Sequence, residues 1–272
     1  MGIINVTRDS FSGDGLLAGD GDHDAVAAAL ALGRRFVDDG ADILDVGAES
    51  TRPRAVYGDH PDVDAASEAA AAVPVVEALW RELGSRVPIS IDTSKGEVAR
   101  HALAAGASIV NDVWAAQRDP ETAVAAASAG AALILMHNKE RAEYPDGMMA
   151  EIRAWLRDAI HAALRAGVPM EQLIVDPGIG FGKDSAMNLE LLQRLGELRA
   201  LGAPILVGPS RKRFIGELLD DAPPDDRREG TAAAVALAIA AGADIVRVHD
   251  VREMARVARV ADAITRREPR FR

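Results

Sequence analysis

The chain has no cysteine among its 272 residues, so it carries neither a disulfide framework nor a thiolate metal site, and a reducing cytoplasm is the compartment this implies. Aromatic residues are scarce at 4%, while hydrophobic residues reach 49%. A core must then be built from Ala, Val, Leu and Ile, as in parallel sheets covered by helices. There is no run of 18 apolar residues and no lipidation motif, so no membrane span is expected. Basic charge is in deficit. The formal net charge of -11 argues against a general nucleic-acid binder, which needs a basic face to displace counterions. A small anionic ligand stays compatible wherever Arg, Lys and His cluster locally.

What is present is a repeated alternation. The opening MGIINVTRDSFSGDG reads as a short buried strand ending at Asn5, followed by a polar loop; it is too short for a membrane span and lacks the charged start of a secretory signal. Further Val, Ile and Leu runs follow at 42–47, 87–92, 108–112, 132–137, 173–177, 204–208 and 244–249, making eight candidate strands with 2–5. Alanine-rich helical stretches lie between them. Several end in Gly-Ala at Gly40, Gly106, Gly130 and Gly242, where glycine can take the left-handed conformation that caps a helix. DDAPPDDRREG (220–230) reads as an acidic surface loop open to disorder. Neither a sequence repeat nor an interdomain linker is evident. The expected fold class is α/β, a single (β/α)8 TIM barrel spanning 1–272, since such barrels use about 250 residues as one domain. The alternative is an open doubly wound sheet. The barrel is preferred because Asn5, Asp45, Asp92, Asn111 with Asp112, His137, Asp176 and His249 all fall at or near C-terminal strand ends, which a closed barrel gathers at one mouth.

Taken singly, Asp92 or Asn111 reads as a loop cap. Together with Asp176 they offer acceptors and an amide donor to a flat heterocycle with an amino-pyrimidinone edge. DPGIGFGK (176–183) puts three glycines beside a strand end, where backbone can approach a ligand; Phe181 is either an apolar wall or core. GPSRKRFIGELL (208–219) sets Arg211, Lys212 and Arg213 at a helix N-terminus, poor for helix stability and suited to an anion. In RVHD, Arg247 and His249 stand two apart, on the same side of a strand, which beside the SRKR turn suggests a phosphate pocket. GAESTRPRAVYG (47–58) adds Ser50, Thr51 and Arg52, whose guanidinium can fork onto an oxyanion, and Pro53, which stiffens the loop.

In order, GIINVTRDSFS, GAESTRP, SIDTSK, NDV, MH, DPGIGFGK, SRKRFIG and RVHDV resemble the motifs of the bacterial dihydropteroate synthases, pterin-binding folate-pathway transferases inhibited by sulfonamides, and the match spans essentially the whole chain. The resemblance implies joining of 6-hydroxymethyl-7,8-dihydropterin pyrophosphate to 4-aminobenzoate, with Mg2+ as cofactor and pyrophosphate and 7,8-dihydropteroate as products. It implies that Asp92, Asn111, Asp176 and Lys212 bind the pterin, and that Asn5, Arg247 and His249 hold pyrophosphate, with Asn5 also on the metal. Phe11, Thr51, Arg52, Pro53, Phe181, Ser210 and Lys212 would frame the aminobenzoate. The catalytic set is Asp92, Asp176, Lys212, Arg247 and His249, and the loop after Asn5 would act as a lid. The leaving group departs first in this family, so no general base is assigned. A homodimer formed through the last helices, around 231–242 and 251–266, is also compatible.

Departures from the family pattern are Ala48 and Arg54 where glycine is usual, Pro209 where alanine is commoner, and SFSGDG for SFSDGG. They bear on substrate affinity more than on reaction type. Because 2–5 follows so closely on Met1, fraying of the first strand is expected. Rival readings are a methyltetrahydrofolate methyltransferase type of pterin barrel, which has no pyrophosphate to hold, a divergent non-catalytic paralogue, and a metal hydrolase using His137 and His249.

Overall fold

The computed structural model describes residues 1–6, 22–49 and 63–266. Phe11, Thr51, Arg52 and Pro53, together with Arg54, lie outside the described residues.

The eight strands are β1 (Gly2–Asn5), β2 (Leu44–Gly47), β3 (Ile89–Asp92), β4 (Ile109–Asp112), β5 (Ala132–Met136), β6 (Leu173–Asp176), β7 (Leu206–Val207) and β8 (Ile245–Val246). Helices α1 (Asp22–Asp38), α2 (Ala65–Leu83), α3 (Gly96–Ala104), α4 (Glu121–Ala129), α5 (Met148–Ala166), α6 (Ser185–Gln193), α7 (Arg213–Leu218), α8 (Arg228–Ala240) and α9 (Val251–Thr265) alternate with them. All eight expected strands are therefore present, each within or equal to its expected span.

Strands β1 to β6 pair in parallel in sequence order, and β7 pairs with β8. Two bridges close the ring, Val175 with Ile205 and Gly2 with Val248. The backbone bonds at these seams are ordinary: Val175 N–H to Pro204 O at 2.9 Å, Ile3 N–H to Val248 O at 3.1 Å and Val248 N–H to Met1 O at 3.0 Å. The fold is the closed TIM barrel. Fraying of β1 is not observed. All four of its residues are in register with β2, Gly2 to Ile4 are buried, and β8 holds its other edge.

The barrel interior is layered by the two-residue period of strands. Its floor is apolar, built from Met1, Ile109, Ile134 and Leu206 with Ile43, Ile174 and Ile245 packed against them. Two residues on, and so on the same face, stand Asp45, Asn111, Asp176 and Arg247. The intervening residues point outward into the larger core, where Leu44, Val46, Val110, Leu133 and Val175 meet Leu79, Ile152 and Leu156 of the helices. No helix of the described residues is long and apolar enough to cross a membrane.

The 220–230 stretch is ordered, contrary to the disorder allowed for it. Pro224–Asp226 form a 3-10 turn, α8 begins at Arg228, and the Arg227 guanidinium donates to the carbonyls of Ala222 at 2.7 Å and Arg211 at 3.0 Å. The four Gly-Ala turns behave as expected, with positive φ at Gly40, Gly106, Gly130 and Gly242. Gly106 is the most constrained. Its φ is 112°, and an added Cβ would come within 2.2 Å of Trp80 Cγ. Gly106→Ala is therefore expected to lower unfolding free energy by about 2 kcal/mol, a strained conformation added to a clash. Urea unfolding measures this, and a loss within error of zero would show that the turn relaxes freely.

Candidate functional site

The polar layer above the apolar floor is organised by Arg247. It continues β8, and its Nε donates to Asp45 Oδ2 at 2.6 Å while Nη2 donates to Asp92 Oδ2 at 2.8 Å. Asn111 Nδ2 adds a weaker bond to Asp45 Oδ2 at 3.3 Å. One cation thus serves two carboxyl groups that are at most 9% exposed. The Asp92 carboxyl is pushed up to about 7, by burial first and by Asp45 as well, against the pull of Arg247. Burial also opposes the Arg247 charge, but Asp45 and Asp92 outweigh it and hold the guanidinium above its usual value. Asp45 Oδ1, Asp92 Oδ1 and Ser90 Oγ are buried with no hydrogen-bond partner among the described residues. Buried orphan acceptors are expensive, so this layer suits a flat ligand presenting several N–H groups.

Asp176 completes the layer from β6. Its Oδ1 accepts from the Gly178 N–H at 2.7 Å, and burial pushes its carboxyl up to about 6 against the pull of that bond and of Lys212, Lys183 and Arg247. At the rim, Lys212 Nζ sits 4.3 Å from the centroid of the Phe181 ring, so the structure pairs two of the expected site residues. Ser210 Oγ lies 2.9 Å from His249 Nδ1 and accepts from the His249 N–H at 3.2 Å, pairing two more.

Three expectations need correction. Asp112 does not face the mouth: it follows Asn111 directly and points outward, where it caps the next turn by accepting from Trp114 N–H, Ala116 N–H and Thr122 Oγ. His137 also points outward, one residue beyond Met136, with its ring against Trp155 at 5.3 Å between centroids and Nδ1 against Lys183. The three cations of SRKR do not act together. Arg211 is paired with Asp250 through Nε at 3.1 Å and Nη2 at 2.8 Å, and Arg213 with Glu217 at 2.6 Å along α7, while Lys212 reaches Phe181 of the glycine-rich loop.

Other residues of the mouth were not singled out from the sequence. Asp45 was placed at a strand end without a role. Lys95, just past β3, pairs with Glu49 at 2.6 Å and with the buried Glu68 of α2, and Glu49 Oε1 accepts from Val63 N–H at 3.3 Å. This clasp joins residues 49 and 63 to the strand end that carries Asp92. Its signal in the sequence was an acid, Glu68, set inside an alanine-rich helical run.

Asn5 ends β1, partly exposed and in register with Gly47. Among the described residues no group of three His, Cys, Asp or Glu is arranged to hold a metal. A single amide oxygen fits a hard cation that keeps several waters and takes its other ligands from a phosphate, which is the habit of magnesium and not of zinc.

A family model described as pterin binding enzyme matches residues 1–249. The dihydropteroate synthase of Bacillus subtilis is 46% identical over 97% of this chain and 87% of its own length. The chain belongs to the dihydropteroate synthase family. Two solved members superpose on it closely. The dihydropteroate synthase from Clostridium difficile, determined with pteroic acid, has a TM-score of 0.89 at 44% identity, covering 97% of this chain and 95% of that one. The Xanthomonas albilineans dihydropteroate synthase, determined with 4-aminobenzoic acid, has a TM-score of 0.85 at 41% identity, covering 97% and 91%.

The Asp45–Arg247–Asp92 arrangement makes stability depend on pH in a way this family member should display. A carboxyl raised above its unfolded value stabilises the fold fully below that unfolded value and loses the contribution as pH rises through the folded one. Arg247→Met removes the one cation that the described residues place in contact with the pair, so two buried acids lose their ion-pair partner. The variant is expected to lose about 3–5 kcal/mol at pH 8 and to recover part of it toward pH 5. Urea unfolding at the two pH values measures this, and a pH-independent loss would show that the carboxylates are solvated.

Proposed function

We propose that this chain catalyses the condensation of 6-hydroxymethyl-7,8-dihydropterin pyrophosphate with 4-aminobenzoate, yielding 7,8-dihydropteroate and pyrophosphate, in the cytoplasm. The observation that carries the reading is the buried layer of Asp45, Asp92, Asn111, Asp176 and Arg247, in which three carboxyl groups stand with one guanidinium and two of their oxygens have no hydrogen-bond partner among the described residues. An aminopyrimidinone edge brings the N–H donors this layer lacks. Asp92 and Asp176 would accept from the pterin and Asn111 would bond its edge, with Lys212 beside the ring.

Departure of pyrophosphate leaves positive charge on the pterin methylene. Ionised carboxylates of the layer would stabilise it as it develops, and they are already in place when the bond breaks. Attack by the arylamine then needs no strong base. Arg247 and His249 would face the leaving group. Arg247 is held by Asp45 and Asp92, so one guanidinium would connect pterin recognition to pyrophosphate departure. Asn5 would hold Mg2+, which when bound supplies Lewis-acid stabilisation of the pyrophosphate oxygens. Phe181, Lys212 and Ser210 would border the aminobenzoate together with Phe11, Thr51, Arg52 and Pro53. The reading includes a homodimer through α8 and α9, supported by the exposed apolar side chains of Leu237, Val260 and Ile264.

Incubation of the purified protein with both substrates and Mg2+, followed by mass spectrometry, is expected to give dihydropteroate. No product, with both substrates recovered, would sink the proposal. Asp92→Asn and Asp176→Asn are each expected to weaken binding of a pterin analogue by about 1.5–3 kcal/mol, the worth of a charge-assisted hydrogen bond. Calorimetry reads the loss directly, and unchanged affinity in both variants would remove the pterin site from this layer.

A further inference from the structure

The DPGIGFGK loop folds over a lysine that the proposed chemistry does not use. Lys183 is 6% exposed, and three acceptors surround its Nζ: the Phe181 carbonyl at 2.9 Å, the Gly178 carbonyl at 3.0 Å and His137 Nδ1 at 3.1 Å. An ammonium has three donors and so satisfies all three. Among the described residues no carboxylate lies within ion-pair distance of it, so its charge is held in the interior by neutral acceptors alone, a costly arrangement. The loop itself is pinned on every side. Tyr144 Oη donates to the Gly182 carbonyl at 2.7 Å, Gly180 N–H donates to Asn188 Oδ1 at 2.7 Å, and a Cβ on Gly178 would lie 1.9 Å from the His137 carbonyl oxygen.

We propose that Lys183 is a positioning residue for pterin recognition: it fastens the loop bearing Phe181 to the end of β5, and its buried positive charge acts on the Asp176 carboxylate. The inference rests on the reading of Asp176 as a pterin acceptor. Gly178 stands between the two groups, its N–H donating to Asp176 Oδ1 at 2.7 Å and its carbonyl accepting from Lys183 Nζ at 3.0 Å. Asp176 is faced by Lys183 from its own loop, Lys212 from the loop after β7, and Arg247 from β8, and each favours its ionised form against burial. Lys183 is faced by Asp176, which supports its charge, and by Lys212 and Lys139, which oppose it; burial pushes it down to about 7. His137 is held neutral, its pKa lowered far below the usual range by burial first and then by Lys183 and Lys139, so its ring nitrogen is free to accept. Each of the two groups favours the charged form of the other.

The experiment separates charge from fastening. Lys183→Met removes the charge and the hydrogen bonds, Lys183→Gln removes the charge but keeps an amide donor for the carbonyls, and Tyr144→Phe loosens the same loop with no change of charge. Asp176 ionisation is followed without ligand by carboxyl 13C NMR on the folded proteins, its resonance assigned with Asp176→Asn. Both Lys183 variants are expected to raise the Asp176 midpoint by about half a pH unit or more, as loss of a nearby cation requires, and Tyr144→Phe to leave it in place. Calorimetric binding of pterin-6-carboxylate between pH 5 and 8 is expected to show its acid limb moving up with the midpoint in the same two variants. An unmoved midpoint in the Lys183 variants, or an equal shift in Tyr144→Phe, overturns the proposal. Should the unaltered protein bind no pterin, the proposed function fails, while the ligand-free titration still decides what Lys183 does to Asp176.

Discussion

The site depends on the sharing of one guanidinium, Arg247, between two buried carboxylates, Asp45 and Asp92. A one-to-one buried ion pair would be electrically closed and would have little to offer a ligand. Two acids on one cation are incompletely satisfied: burial raises Asp92 in spite of Arg247, and two acid oxygens are buried without partners among the described residues. The barrel bears this cost because everything beneath the layer is apolar and well packed. A ligand that donates N–H bonds and becomes positively charged during reaction repays it twice, first on binding and again at the point where its leaving group departs.

The same economy of neighbours recurs around the mouth. Lys95 also serves two acids, Glu49 and Glu68, and so ties the chain at residue 49 and, through Val63, at residue 63 to the strand end carrying Asp92. Among the described residues Lys183 bonds neutral acceptors, and it ties the loop after β6 to the end of β5. Each lysine fastens a segment that loop propensity alone would leave free, and each stands within a few residues of a carboxylate of the central layer. Loop placement and site electrostatics are thus set by the same side chains.

Family and architecture were legible because they depend on local order along the chain. The Val, Ile and Leu runs mark the eight described strands, the Gly-Ala turns mark four helix ends, and eight ordered motifs point to the dihydropteroate synthases. The seams of the barrel were not legible. Bridges such as Gly2–Val248 join residues 246 positions apart, and nothing local encodes them. Nor was the strength of β1, since its edge is held by β8 from the far end of the chain.

Within the site, residue type was legible and side-chain direction was not. Asn111 and Asp112 are adjacent and both polar, yet alternation sends one into the barrel and the other to cap a turn. His137 fell on the outer face by the same one-residue step, and Arg211 turned from the anion site expected of it to Asp250. The sequence by itself determined which strands exist, which acids, amides and cations stand near their ends, and which family the chain resembles, because periodicity and motif order are properties of near neighbours. Only the tertiary structure decided which of those groups meet. Which side of the barrel wall each polar group takes, and which partners each guanidinium and ammonium finds, depends on contacts between strands remote in the chain, where burial and charge are set by closure of the barrel.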